Sequence, residues 1–521
     1  MKRFLLLMLF SVVSINGWAQ SSERELINEL RKFGNFIGAL NQIYVDTLNN
    51  KLMIEDAIRG VLSQLDPHSS YIPADQMQEV KEEANGNFEG IGIEFSTIND
   101  TIIITGVISG GPAEKVGIMP NDKIVKVNGE DFIGIKATDV SKYLRGPKGS
   151  TVTLSISRAG SPQPLDFKIV RDKIPLYTVD AAYKVNESTG YIRINRFAAT
   201  TNDELVAALN KMEGIDNLIL DLRGNGGGFL NQAVAVCSQF IESDKVVVSM
   251  EGLRIAPRTF KSSGKGYFRN GKLCVLVDEL TASASEIVAG AIQDWDRGVI
   301  VGKPTFGKGL VQNQFVLQDG SAIRITTARY HTPSGRVIQR PFERGKKDKY
   351  SKGLSDRLKY GEKIDSTQVP DSLKYRTLVE GRTVWGGGGI VPDIIVPTDT
   401  TDTYTKYFRE LLAKGAMAQF LVGYMERFRT QLEKQYPTED AFINGYRVGK
   451  REFDLVVEYG NKNKVPFDQA DFDKTKKWLQ ISIKALIGER LFSKSTYYRV
   501  MNDSDGPMGE EFRTALKTFE N

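Results

Sequence analysis

Twice in the middle of the chain an unbroken apolar stretch runs into a turn of small residues and then into a helical pattern. The first is Asn217-Leu-Ile-Leu-Asp-Leu-Arg-Gly-Asn-Gly-Gly-Gly228, followed by Phe229-Leu-Asn-Gln-Ala-Val-Ala-Val. The second is Val275-Leu-Val-Asp-Glu-Leu-Thr-Ala-Ser283-Ala-Ser285-Glu-Ile-Val-Ala-Gly-Ala-Ile. A short apolar run without alternation suits a strand buried on both faces, and such strands pair in parallel through helical crossovers. Strands and helices alternate in this way from about Leu176 to Pro397, which predicts an α/β core over residues 175–398.

The flanks read differently. Leu26, Leu30, Phe33 and Ile37 recur at helical spacing, as do Ile54, Ile58 and Leu62, so residues 20–86 are expected to be helical. Asp66-Pro67 closes the second of these helices, because a residue before proline avoids the helical region. From Phe88 the pattern changes to short strands at Ile91–Phe95, Thr101–Ile108, Lys123–Val127 and Thr151–Ser157. Short helices are expected near Pro112–Val116 and Ala137–Leu144, giving a strand-rich module over residues 87–174. Helical periodicity returns in Tyr407–Leu432 and Phe472–Phe492, within a helical extension over residues 399–521. The basic, polar run Arg344–Lys363 reads as an exposed loop.

Lys2-Arg3, the apolar run Phe4–Val13 and Gly17-Trp18-Ala19 have the order of a secretory leader, with cleavage expected after Ala19. The apolar run is much shorter than the ~20 residues a spanning helix needs. The mature chain is therefore expected to be exported and soluble, in the periplasm or cell envelope. Basic residues exceed acidic ones by 69 − 64 = 5, and by 67 − 64 = 3 without Lys2 and Arg3, which leaves no electrostatic footprint for nucleic acid. The chain has two histidines, His68 and His331, and two cysteines, Cys237 and Cys274. That inventory excludes a Cys/His zinc site and a disulfide-stapled scaffold. The cysteines fall in an apolar helix and an apolar strand, as buried free thiols do.

Three segments carry candidate chemistry. In the first glycine turn, Gly224 and Gly226 match the start of a dinucleotide fingerprint, but Phe229 stands where its third glycine is needed for helix packing. The same glycines suit a plain strand–helix turn, or amides aimed at a developing negative charge. At the second turn, Ser283 or Ser285 could present a hydroxyl beside a helix N-terminus, or simply cap the helix. The third segment, Gly302-Lys-Pro-Thr-Phe-Gly307-Lys308-Gly309, misses the last residue of a phosphate-binding loop, since Gly309 replaces the magnesium-ligating Ser/Thr. If residues 308–312 are extended, Lys308 and Gln312 project to one face and Gln312 can orient the amine.

A serine nucleophile needs a base. His331 could serve in a Ser/His arrangement, although its setting in Tyr-His-Thr-Pro-Ser-Gly favours a turn or wall residue, and that of His68 in Asp-Pro-His-Ser-Ser favours a local hydrogen-bonding group. A lysine can also serve once its pKa falls from ~10.4 toward ~7–8, a desolvation cost of roughly 4 kcal/mol at about 1.36 per unit. Burial in an apolar pocket supplies such a shift.

Taken together, these segments resemble the C-terminal processing peptidases, or tail-specific proteases, which use a Ser/Lys dyad in a crotonase-like (ββα superhelix) core. Thr-Ala-Ser283-Ala-Ser-Glu resembles the family's nucleophile motif and Phe-Gly-Lys308-Gly-Leu-Val-Gln312 its lysine motif. The separation, 308 − 283 = 25, matches the family's spacing and selects Ser283 over Ser285. The resemblance extends to Leu65-Asp-Pro-His-Ser-Ser-Tyr71, Thr332-Pro-Ser-Gly335 and Gly389-Ile-Val-Pro-Asp393, within about residues 40–398. Gly226 departs from the family's usual residue there.

The resemblance implies Ser283 as nucleophile, Lys308 as base and Gln312 as its orienting group. It also implies an oxyanion hole from Gly227, Gly228 and Ala284, and no metal or cofactor. Asn87-Phe-Glu-Gly90-Ile91-Gly92-Ile93 resembles the carboxylate-binding loop of a PDZ domain, with Val140 and Leu144 expected to line the pocket for the last side chain. The implied partners are polypeptides recognised through their C-terminal tails. A homo-oligomer or an adaptor contact through the helical regions is a further expectation. The competing expectation is a catalytically silent PDZ scaffold of the cell envelope.

Overall fold

Both apolar runs lie at the centre of one six-stranded sheet. The computed structural model describes residues 24–520 apart from 99, 109, 159, 361–368 and 398–404, so the expected leader at 1–19 lies outside the described residues. The sheet holds β1 (Val179–Lys184), β2 (Thr189–Ile194), β3 (Asn217–Asp221), β4 (Lys272–Val277), β5 (Val299–Gly302) and β6 (Ile394–Ile395), side by side in chain order. β1 and β2 are antiparallel, and every later pair is parallel. Parallel neighbours require crossovers, and α1 (Thr201–Lys211), α2 (Leu230–Ser238) and α3 (Ala284–Asp294) lie in the connections after β2, β3 and β4.

Alternate residues of β3 serve opposite faces. Leu218 and Leu220 join the cluster made with α1, α2 and α3. Ile219 joins Tyr191, Leu276 and Val301 beneath Phe512 and Ala515, from the last helix of the chain, Pro507–Lys517. Both faces are covered, and for that reason the sequence shows no alternation. The C-terminal extension therefore caps the core sheet. Cys237 and Cys274 are buried and unbridged.

A second sheet runs in the order Ser70–Ile72, Ala322–His331, Val246–Gly252, Ile255–Lys261, with Leu310–Val316 also pairing Ala322–His331. Its role is to carry the chain leaving β5 through residues 303–309 and back along the long strand Ala322–His331. The strand-rich module has an antiparallel sheet of its own, with Thr101–Val107 and Thr151–Ser157 among its strands, around a core that includes Ile102, Ile124 and Leu154. Its entering strand Asn87–Gly90 pairs with its leaving strand Asp172–Pro175, which closes the module off as an insertion.

The C-terminal helices have their own core around Phe420, Tyr424, Phe442 and Ile483, and Arg490 Nη1 reaches Thr105 O of the strand-rich module at 2.7 Å. The helix expected over Tyr407–Leu432 is two helices, Lys406–Ala413 and Ala416–Gln435, separated by Gly415 at φ +71°. The N-terminal helices, residues 24–43 and Asn50–Ser63, belong to a unit of their own that ends at Leu65.

The loop expected over Arg344–Lys363 is corrected: Lys347–Tyr360 is helical. Its anchor is Tyr350, packed on the Arg340 guanidinium at 4.0 Å from the ring centroid and edge-on to His68. Tyr350, Leu354 and Leu358 recur four residues apart within the run, a helical period that its basic, polar composition hides. Among the described residues no helix is long and apolar enough to cross a membrane.

Candidate active site

Ser283 sits at the turn between β4 and α3 with φ +58° and ψ −114°, a backbone state that costs a non-glycine residue about 1–3 kcal/mol. The turn is held open by its base. Asp278 Oδ1 accepts from the N–H groups of Gly224, Leu280 and Thr281, and Thr281 Oγ1 donates to Leu222 O at 2.9 Å. Tyr330, buried on the long strand, brings its hydroxyl to the carbonyl oxygens of both Ser283 and Lys308.

Glu286 ties the two catalytic candidates together. It is fully buried one turn into α3. One carboxylate oxygen accepts from Ser283 N at 2.8 Å and Lys308 N at 2.9 Å; the other accepts from Gly307 N at 2.7 Å and Thr305 Oγ1 at 2.5 Å. Burial pushes this carboxyl above its ordinary range although the four hydrogen bonds oppose the shift. Its signal was present in the sequence, because Ser283-Ala-Ser-Glu286 has the spacing of a capping box.

Lys308 and Gln312 are brought together by the extended chain. Lys308 Nζ donates to Gln312 Oε1 at 3.1 Å, and Gln312 Nε2 donates to His68 O at 2.6 Å. A backbone carbonyl only accepts, so this second bond fixes which end of the amide faces the lysine. The loop that supplies it is built by Asp66, which accepts from the N–H groups of His68 and Ser69 and from Ser69 Oγ. Burial, then the nearby Arg324 charge, holds the Lys308 pKa below the ordinary lysine value. The His68 imidazole is pushed down to about 4 by burial and by Lys308, so it stays neutral around pH 7.

Ser283, Ala284, Lys308 and Gln312 line one cavity of about 600 Å³, together with Gly226, Gly227, Gly228 and the apolar side chains of Phe229, Leu230, Ile287 and Leu310. Among the described residues the serine hydroxyl and the amine share no hydrogen bond, and such bonds often tighten only with substrate bound.

The expected oxyanion set needs one correction. Gly227 N–H is already donated to Asn225 Oδ1 at 2.9 Å, so it is not available to a substrate oxygen. Gly227 instead permits close approach: a Cβ there would lie 2.7 Å from Ala282 O and 2.8 Å from Ser283 Cβ. Gly228 and Ala284 keep their place at the cavity wall.

Ser285 is fully buried and donates to Asn225 O at 3.0 Å, which leaves no free hydroxyl. His331 contacts Gly335 O and lies outside the cavity wall. In the strand-rich module, Gly90, Ile91, Gly92 and Ile93 form the turn into the strand Ile93–Ile98, and Gly92 has φ +79°. Val140 and Leu144 are corrected from pocket-lining to core: at 0% and 4% exposure they pack inward with Ile91, Ile102 and Phe132. The four-residue spacing that suggested a shared pocket places them on the inward face of their helix.

Behind the site runs a buried ion network that the sequence did not suggest. Asp221 meets Arg223 and Arg193, and Arg223 Nη1 reaches Glu511 Oε2 of the last helix at 2.7 Å. The other Glu511 oxygen holds Lys303 at 3.1 Å. One carboxylate therefore ties the root of the glycine turn to the root of the lysine loop. Burial alone would raise the Asp221 pKa, but Arg223 and Arg193 hold it well below the carboxylate range. Among the described residues no group of three or more His, Cys, Asp or Glu side chains could hold a metal ion.

A turn-borne serine and a desolvated amine opening into one cavity are the equipment of serine-type acyl transfer. Residues 188–345 match peptidase family S41, residues 103–158 match the PDZ domain, and residues 407–493 match a family of unknown function, DUF8443. A carboxy-terminal-processing protease of Bartonella bacilliformis is 36% identical over 63% of this chain and 76% of its own length. A Staphylococcus haemolyticus protein named "Probable CtpA-like serine protease" is 30% identical over 85% of this chain and 84% of its own. Among solved structures, the photosystem II D1 C-terminal processing protease is 25% identical, covering 69% of this chain and 85% of its own at a TM-score of 0.36. The chain belongs to peptidase family S41, among the carboxy-terminal-processing proteases. It is a serine-type C-terminal processing peptidase carrying a PDZ domain.

Proposed function

We propose that the protein is an exported endopeptidase that cleaves polypeptides near their C-termini through a Ser283/Lys308 dyad. The observation that carries this reading is the amine of Lys308, partly desolvated, held by Gln312 and facing the same cavity as Ser283. In the first step Lys308 takes the Ser283 hydroxyl proton as Oγ attacks the scissile carbonyl. The oxyanion is received by the amides of Gly228 and Ala284. Lys308 then gives its proton to the leaving amine as the C–N bond breaks. Water hydrolyses the resulting ester by the same route and restores Ser283.

The rest of the proposal concerns delivery. The leader at residues 1–19 supports export to the periplasm or envelope, and the six strands in chain order support a crotonase-like core over 175–398. The PDZ domain at 87–174 recruits the substrate's C-terminal carboxylate through the turn Gly90–Ile93, while the strand edge pairs with an extended tail. Leu26, Leu30, Phe33 and Phe36 are all exposed on the helix spanning 24–43, which supports a second copy or an adaptor as a partner of the helical regions.

The test is direct. A fluorophosphonate probe should label wild-type protein at Ser283, and mass spectrometry should show a model polypeptide cut internally, releasing short C-terminal peptides. Specific peptide binding with neither labelling nor cleavage would favour the silent scaffold instead.

Recruitment has its own test. A side chain at Gly92 meets Ile174 Cδ1 at 3.0 Å in a left-handed backbone. Gly92→Leu should weaken binding of free-carboxylate peptides by about tenfold or more, read by fluorescence anisotropy. Equal binding of free and amidated peptides by the wild type would remove carboxylate recognition from the proposal.

A further inference from the structure

The active-site cavity is charged in a way that catalysis alone does not require. Its wall carries three cationic side chains, Arg196, Lys308 and Arg324, against one carboxylate, Glu83. Among the described residues the side-chain hydrogen bonds of both arginines go to neutral oxygens only, and Arg196 Nε is buried without a partner. Arg196 Nη2 donates to Leu176 O at 2.8 Å, and Arg324 Nη2 to Gln314 Oε1 at 3.1 Å.

Arg324 is the more informative of the two because of where its strand puts it. It stands opposite Gln314 in the antiparallel ladder, and Thr326, two residues on, stands opposite Gln312. Side chains two apart share a face of the sheet, so Arg324 and Gln314 emerge on the face that carries Gln312 and, through it, the catalytic amine. Gln314 is exposed, so this end of the cavity opens to solvent.

Chemistry gives the cavity a direction, and here the inference rests on the dyad reading above. Lys308 delivers its proton to the leaving amine, so the substrate on the C-terminal side of the scissile bond must run past Lys308. Arg324 lines the same cavity, one same-face step along the ladder beyond Gln312. A planar guanidinium with a single neutral partner is prepared for a bidentate carboxylate. Its proximity to Lys308 is also felt electrostatically, since it disfavours the ammonium form.

We propose that Arg324 is the core of an anion subsite on the leaving-group side of the cleft, and that it selects substrates bearing a carboxylate shortly after the scissile bond. Two sources fit that chemistry: an acidic side chain, or the terminal α-carboxylate of a short released tail.

The full-length enzyme can be tested with four peptides of one sequence, carrying Glu or Gln within three positions after the cleavage point and a free or amidated end. The readout is the ratio of kcat/KM between charged and neutral members, for wild type, Arg324→Gln and Arg324→Glu. Within one variant, any effect on folding or on Lys308 cancels from that ratio. Wild type should favour a charged peptide by about three- to tenfold. Arg324→Gln should bring the ratio to about one, and Arg324→Glu should invert it. A preference that follows Glu identifies the side chain; one that follows the free end identifies the terminal carboxylate. Any preference for the free end that survives in Arg324→Gln belongs to the PDZ domain. A flat wild-type ratio, or one unchanged in Arg324→Glu, overturns the subsite while leaving the protease reading intact. Absence of cleavage by wild type overturns both.

Discussion

Lys308→Arg should lose about 10²–10⁴-fold in kcat, nearly as much as Lys308→Ala, although it preserves the positive charge. Arginine, with a pKa above ~12, cannot give up its proton and act as a base. Ser283→Ala should abolish turnover altogether. Ser285→Ala should keep substantial activity, because Ser285 spends its hydroxyl on Asn225 O, which also accepts from Ala282 N and so stays satisfied. The pH profile follows from the sign of the lysine shift. Burial and Arg324 lower the pKa of Lys308, and under the proposed dyad the neutral amine is the active form. The rate should therefore rise with pH through a midpoint below the ordinary lysine value. Near-full activity in Lys308→Arg, or a rate that falls as pH rises through that region, would sink the dyad.

The parts of this site legible in the sequence are those whose geometry is local. Ser283 and Lys308 each lie in a short motif, and the helix starting at Ala284 is announced by the residues around its first turn. Gln312 was reachable because four residues of extended chain return a side chain to the same face. The availability of an amide was not legible. Whether Gly227 N–H is free depends on Asn225 Oδ1, and nothing in a run of glycines says which of them is already bonded. The inward packing of Val140 and Leu144 was missed for a related reason: helical spacing finds a face but does not say whether it meets a groove or a core. Glu511 was further out of reach. It lies 511 − 223 = 288 residues from Arg223, and only the docking of the last helix under the core sheet brings its charge to the glycine turn. The C-terminal extension is thus part of the support of the site, although its sequence reads as an appendage.

Gly227→Ala should damage both activity and stability, and its neighbour Gly226 supplies the control. At φ +100° a side chain is strained wherever it points, and here it points at the nucleophile turn: its Cβ would lie 2.7 Å from Ala282 O, 2.8 Å from Ser283 Cβ and 2.9 Å from Ala284 N. The glycine turn cannot easily retreat. Its N–H is held by Asn225 Oδ1 and its carbonyl by Phe197 N, while Gly228 beside it is packed so tightly that a Cβ would meet Phe197 O at 2.0 Å. The clash must therefore be relieved by moving Ser283 and the Ala284 amide, the two groups whose relative position the proposed chemistry depends on. Losing one aligned oxyanion donor costs about 10²–10³-fold in kcat, and the strained backbone adds about 1–3 kcal/mol of destabilisation. Gly226→Ala puts the same methyl group into open space, with no heavy atom within 4 Å, and should leave both kcat and thermal stability close to wild type. Steady-state kinetics and thermal denaturation of the two variants decide the matter. Comparable activity in both would show that the Gly227–Ser283 contact does not set the geometry of catalysis.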